Sequence, residues 1–177
     1  DLLNNRDFSL NRKEKLITND LDKNNDHLPT QVILPLYGSN KTVYSKSGLN
    51  QWNAGGRMRH PNEIYIPIPA KIHHLFPNFF PSRDKLFSLT FPDGEIAEAS
   101  VCQAGSKALM TKSNKKLGQL ILRDGLRLKE NELATYDKLQ FLGVDSVRIQ
   151  KIDSLHFELD FSRCGSYESF LMNHKSI

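Results

Sequence analysis

Two runs near the end of the chain, Ser146-Val-Arg-Ile-Gln-Lys-Ile152 and Leu155-His-Phe-Glu-Leu-Asp-Phe161, alternate with period two around Asp153-Ser154. That period puts every second side chain on one face, so both runs predict strands with one buried and one wet face. Thr30 to Tyr37 reads as a first strand and Glu63 to Ile68 as another, whose end Pro67 and Pro69 confine to a sheet edge. Leu86 to Phe91 and Ile96 to Gln103 flank the turn Pro92-Asp93-Gly94 as a hairpin, and Ala108 to Thr111 adds a short strand. Short helices are predicted over Ala70 to Phe76, over Lys115 to Arg123 behind an Asn114 cap, and over Tyr136 to Phe141 between Thr135 and Gly143. About seven strands and two or three short helices, without regular βαβ alternation, predict a mostly β fold. The expected form is an antiparallel barrel or sandwich with the helices at its ends.

A length of 177 residues suits one domain with room for a tail. Residues 1–29 are polar and rich in Asn and Asp, and read as a linker or the tail of a preceding domain, with at best a short helix from Leu10 to Leu16. Residues 30–177 are the expected domain. The chain opens on Asp1, which points to a piece of something longer. No apolar stretch approaches the roughly 18 residues of a membrane-spanning helix and no secretory pattern opens the chain, so a soluble, cytoplasmic protein is expected. Cys102 and Cys164 lack the paired spacing of a zinc site and are too few for a disulfide framework, so both are expected to be reduced.

Net charge is +4, a weak pointer to an anionic partner. Its distribution says more. The 36 residues between Asp26 and Glu63 contain no carboxylate and carry Lys41, Lys46, Arg57 and Arg59. The 25 residues between Glu98 and Asp124 contain none either, and carry Lys107, Lys112, Lys115, Lys116 and Arg123. These windows hold 9 of the 24 basic residues and none of the 20 acids. A polyphosphate surface favours this pattern, because a carboxylate facing phosphates is repelled while each Lys or Arg releases condensed counterions. The plainer alternative is a pair of solvated loops that carry lysines.

The first window contains Lys46 and then Ser47-Gly-Leu-Asn-Gln-Trp-Asn-Ala-Gly-Gly-Arg-Met-Arg59. Asn50, Gln51, Asn53, Arg57 and Arg59 are bidentate side chains of the kind that pair with adenine or guanine edges, and Gly55-Gly56 lets backbone approach a groove wall. Each has a plainer reading: Trp52 as packing at the loop base, Gly55-Gly56 as a turn, either arginine on a phosphate or a carboxylate. In the second window, Ser113 and Asn114 at a helix start, followed by Lys115 and Lys116, form a candidate phosphate clamp, since lysines in a first turn oppose the dipole unless an anion sits there. Gln103, Ser106, Lys107 and Lys112 reach either base edges or phosphates.

Several separated blocks then carry a resemblance: Ser47 to Arg57, Pro61-Asn-Glu-Ile-Tyr-Ile-Pro-Ile-Pro69, Phe79-Phe-Pro-Ser-Arg-Asp84, Val101-Cys-Gln103, Ser106-Lys-Ala-Leu-Met110, Tyr136 and Gly143-Val-Asp-Ser-Val147. In this order, over about residues 30–170, they resemble the C-terminal DNA-recognition domain of NgoFVII/NgoAVII-type restriction endonucleases. The resemblance implies a seven-stranded B3-like pseudobarrel that grips double-stranded DNA with two arms in the major groove. The N-arm falls on about Ser47 to Arg59 and the C-arm on about Gln103 to Lys116, which coincide with the two acid-free windows. It also implies a bacterial, cytoplasmic, dimeric parent enzyme whose N-terminal phospholipase D-type nuclease domain cuts the DNA, and an isolated recognition domain that is monomeric.

Catalytic chemistry is not expected in this chain. None of the six histidines has a lysine two residues on, Pro92-Asp93 reads as a turn, and the adjacent His73 and His74 point apart with no carboxylate or cysteine to complete a metal set. Cys102 and Cys164 have no activating neighbours in sequence. The expectation is a cofactor-free, metal-free reader of double-stranded DNA. A self-sufficient endonuclease, an RNA-binding barrel and a protein-interaction module are the alternatives.

Overall fold

The structure, a computed structural model, describes residues 30–175. The expected linker and the reading of a helix at Leu10 to Leu16 lie outside the described residues. Seven strands form one sheet: β1 (Gln31–Pro35), β2 (Ile66–Pro67), β3 (Phe87–Thr90), β4 (Ile96–Cys102), β5 (Ala108–Thr111), β6 (Val144–Asp153) and β7 (His156–Arg163). Their order is β1-β6-β7-β3-β4-β5-β2, antiparallel throughout except for β3 with β7. The edge strands β1 and β2 come back together, so the sheet curls into a nearly closed barrel. This is the mostly β, seven-stranded pseudobarrel that the sequence predicts.

The alternation of β6 and β7 fills it. Val147, Ile149, Phe157 and Leu159 point inward and are at most 2% exposed, each worth about 1.5–3 kcal/mol of burial. On the outer face Arg148 pairs across the strands with Asp160 at 3.3 Å. Phe79, Phe80, Phe87 and Phe157 close one end as a ring cluster, with centroids 4.8 Å apart for Phe87 and Phe157. Helix α1 (Ala70–Leu75), which buries Ile72, lies at that end.

Three local expectations change. The strand from Glu63 to Ile68 shrinks to the two residues of β2, because the amides of Glu63 and Tyr65 bond His60 and Gly48 instead of a neighbouring strand. Helix α2 (Asn114–Gly118) starts one residue early, with Ser113 rather than Asn114 at the N-cap, and after five residues widens into a π turn over Gln119–Gly125, where the Leu126 amide bonds the Ile121 carbonyl. After α3 (Tyr136–Leu142), capped by Thr135 and ended by Gly143 as expected, comes an unpredicted α4 (Ser166–Asn173). It lies along β1 and packs Phe170 on Phe76 with centroids 5.6 Å apart. The described residues thus hold four α-helices where two or three were expected.

Strand registers decide which connections share an end. Pro35 faces Ser146, Thr90 faces Ile96 and Thr111 faces Ala99, with β7 running parallel to β3. The long connection from β1 to β2, the β3–β4 turn and the corner from β5 into α2 therefore lie at one end. The β4–β5 loop, α1 and the β6–β7 turn lie at the other.

Candidate nucleic-acid interface

The first acid-free window becomes a folded foot and an open tip. In the foot, a 3-10 turn over Gly48–Asn53 follows Ser47 and buries Leu49 and Asn50. Asn50 is 0% exposed. Its Nδ2 donates to the carbonyls of Tyr44 and Ala134 at 3.0 and 2.9 Å, and its Oδ1 accepts from the Ala134 amide at 2.9 Å. An amide spent in this way is not a surface group, which corrects the reading of Asn50 as a base contact. Trp52, which could also have been a base-stacking plate, packs against the core, and Gln51 is half-buried beside it. Asn53 is exposed and donates to the Ser45 carbonyl at 2.9 Å; Lys46 is exposed.

At the tip, Gly55 and Gly56 have open space around them, and Gly56 takes φ 91°, a conformation that favours glycine. The chain then reverses through Arg57, Met58 and Arg59 with Met58 95% exposed. Both arginines hold one carboxylate. Arg57 Nη1 and Nη2 donate to Glu63 Oε2 and Oε1 at 3.1 and 2.5 Å, and Arg59 Nη1 donates to Oε1 at 2.5 Å. The Arg59 side chain is 13% exposed and its Nε also donates to the Ala54 carbonyl, whereas the Arg57 side chain is 55% exposed.

The second window is divided by β5. Gln103, Ser106 and Lys107 lie in the β4–β5 loop, while Lys112, Ser113, Lys115 and Lys116 lie at the opposite end of that strand, about 16 Å away at roughly 3.3 Å per residue. The loop is tightly wound: Gln103 has φ 70° and ψ 163°, Gly105 φ 75° and Ser106 φ 53°. Conformations of this kind cost a non-glycine residue about 1–3 kcal/mol. Two contacts hold the loop, His73 Nε2 on the Ser106 carbonyl at 2.7 Å and the Ile68 amide on the Lys107 carbonyl at 2.8 Å. At the α2 corner, Lys112 pairs with Glu98 at 3.1 Å and Lys116 with Glu95 at 2.9 Å, so carboxylates just outside the window in sequence enter it in space. Lys112, Lys116 and Glu98 line part of a cavity of about 400 Å³ together with Ile96, Ala97 and Ser113. Lys46, Lys107 and Lys115 are exposed and form no ion pair among the described residues.

The first window's loop and the α2 corner are joined by a bracket that sequence patterns do not reveal. Arg123 Nε donates to Asn62 Oδ1 at 2.9 Å, its Nη2 to the Pro61 carbonyl at 3.0 Å, and its Nη1 to the carbonyls of Leu128 and Lys129 at 3.0 and 2.5 Å. Asn62 Nδ2 donates to Gln119 Oε1 at 3.1 Å. Arg123, counted above among the window's cations, is thus a structural tie. Glu63 and Asn62 escaped the sequence reading as site residues because Glu63 opens an expected strand, where a residue four positions from Arg59 is not its neighbour, and Arg123 lies 61 positions from Asn62. The one available signal was Glu63's place as the carboxylate that ends a long acid-free stretch.

Among the described residues no helix is long and apolar enough to cross a membrane, and no group of three His, Cys, Asp or Glu side chains is gathered to hold a metal. A comparison with curated proteins finds no match. A family model described as the NgoFVII C-terminal B3-like DNA-binding domain matches residues 12–153, which is 142 of the 177 residues. Taken with the seven-stranded pseudobarrel, a match over that much of the chain means that it belongs to this family of B3-like DNA-binding domains.

Proposed function

We propose that this chain reads the sequence of double-stranded DNA through two arms in the major groove and serves as the target-recognition domain of a restriction endonuclease. The DNA lies against the barrel end formed by the Lys46 to Arg59 segment and the Lys112 to Lys116 corner. The nuclease domain, dimerisation and the cut belong to the parent protein, a bacterial cytoplasmic enzyme. The observation that carries this reading is the bracket of Arg123, Asn62 and Gln119, which fastens two acid-free stretches remote in sequence into one surface of a DNA-binding family member.

Lys46, Lys107 and Lys115 are uncommitted cations that supply affinity by counterion release. Gln103 to Lys107 lies about 16 Å from the α2 corner. It sits at the other end of β5, so it meets the duplex where the DNA runs along that strand past the barrel end. The strained Gln103 backbone supports a role for this loop, because such conformations persist where a side chain must be held in a set direction.

The test is a mobility-shift competition. A labelled random-sequence duplex should be displaced by unlabelled duplex and poorly by single strands or RNA stem-loops, and a plasmid incubated with the chain, with or without magnesium, should stay intact. Displacement led by the RNA would assign the surface to RNA. Plasmid cleavage would make the chain an enzyme in its own right.

A further inference from the structure

We propose that Glu63 is the positioning residue for base reading by Arg57; this rests on the DNA-reading function above. A buried carboxylate is retained only when its charge is paired and its lone pairs are filled. Glu63, with a side chain 4% exposed, meets both conditions through Arg57 and Arg59. The two guanidinium groups are not equivalent. Arg59 is enclosed and ties the carboxylate to the Ala54 carbonyl, so it acts as a strut. Arg57 is half exposed and meets Glu63 end-on, through Nη1 and Nη2, with Nη1 also on the Met58 carbonyl.

A guanidinium has five N–H donors in one plane. End-on pairing with Glu63 leaves the side edge of Arg57, its Nε–H and the second Nη2–H, without a partner among the described residues. That edge is a two-donor fork of the spacing that fits guanine O6 and N7. Glu63 therefore fixes the plane of the fork and aims its free edge, so that little freedom remains to be lost on binding. It also cancels one of the two positive charges at the tip, which restrains attachment to DNA of the wrong sequence.

The test uses a duplex selected by the purified chain from a random pool, then remade with 7-deazaguanine at each guanine in turn, which removes N7 alone. Wild-type binding should fall about 10-fold or more at one guanine, the position at which Arg57→Ala no longer notices the change. Glu63→Gln should lose that same sensitivity and lower the ratio of selected to random duplex affinity by about 10- to 100-fold, while random duplex is bound as well or better. Should Glu63→Gln not fold, Glu63→Asp keeps the charge, withdraws the carboxylate by one methylene, and should show the same loss of sensitivity. A Glu63 variant that folds and keeps both the ratio and the 7-deazaguanine response overturns the proposal, and so does a wild type whose guanine responses are all independent of Arg57. A wild type that selects no sequence overturns the DNA-reading function itself, a separate and recognisable result.

Discussion

Gly118 lies so close to Asn62 that a Cβ built on it would fall 1.8 Å from the Asn62 carbonyl oxygen and 2.6 Å from its carbonyl carbon. The obstacle is backbone, which cannot swing aside as a side chain can. Helix α2 therefore seats directly on the end of the first window's loop, and the hydrogen bonds of Arg123 and Gln119 to Asn62 close around that contact.

Gly118→Ala should lower stability by about 1–3 kcal/mol or more, the range for overpacking a close contact. It should also weaken duplex binding by more than the loss of folded protein explains, because the two windows lose their fixed relation. Urea denaturation followed by binding titration checks both parts, and an unchanged denaturation midpoint would contradict the contact.

Asn50→Ala should act on the fold alone. It leaves the Ala134 amide and two carbonyls without their buried partner, a loss of about 1–3 kcal/mol. The ratio of selected to random duplex affinity, measured under conditions where the variant is folded, should not change. A fallen ratio would return Asn50 to the DNA surface.

Lys115→Ala and Lys116→Ala should differ. Lys115 has no ion pair among the described residues and Lys116 is held by Glu95, so the first should reduce the slope of log affinity against log salt by about 0.9 and the second by less. Neither should alter sequence preference. Equal slopes for wild type and the Lys115 variant would remove that residue from the phosphate contacts.

Asp145 gives the fold a pH dependence. It is 0% exposed at the start of β6 and accepts from the Tyr136 hydroxyl at 3.1 Å, and burial pushes its carboxyl pKa up. An acid whose pKa is higher folded than unfolded holds more protons when folded, so its contribution is full below the unfolded pKa and is lost as pH rises through the folded one. Asp145→Asn does not titrate. Its stability relative to wild type should therefore improve between about pH 3 and about pH 7, by denaturant titration at each. A difference that stays constant, or moves the other way, would contradict the raised pKa.

The barrel was legible because its strands obey local rules: the period of two in β6 and β7, the Pro92-Asp93-Gly94 turn between β3 and β4, and the prolines at the β2 edge. The α2 region was less so, since the Gly118–Asn62 contact that seats it joins residues 56 positions apart in sequence. The charge gaps marked stretches that the fold brings together in part, but not the chemistry of their side chains. Whether Arg57 and Arg59 were free or paired depended on Glu63, and whether Asn50 faced out depended on Ala134, partners that composition and spacing do not specify. α4 went unread because Ser166–Asn173 has a weak apolar stripe whose one buried residue, Phe170, finds its partner Phe76 far back in the chain.

The most direct measurement is selection of duplexes from a random pool by the purified chain near physiological salt, followed by affinities for the winning sequence and a scrambled copy. A sequence-reading domain should enrich one short motif and bind it at least about 1,000-fold more tightly than the scramble. Enrichment of no motif, with equal affinity for both duplexes or no binding to either at low salt, would contradict the reading of these two windows as the arms of a DNA-recognition domain.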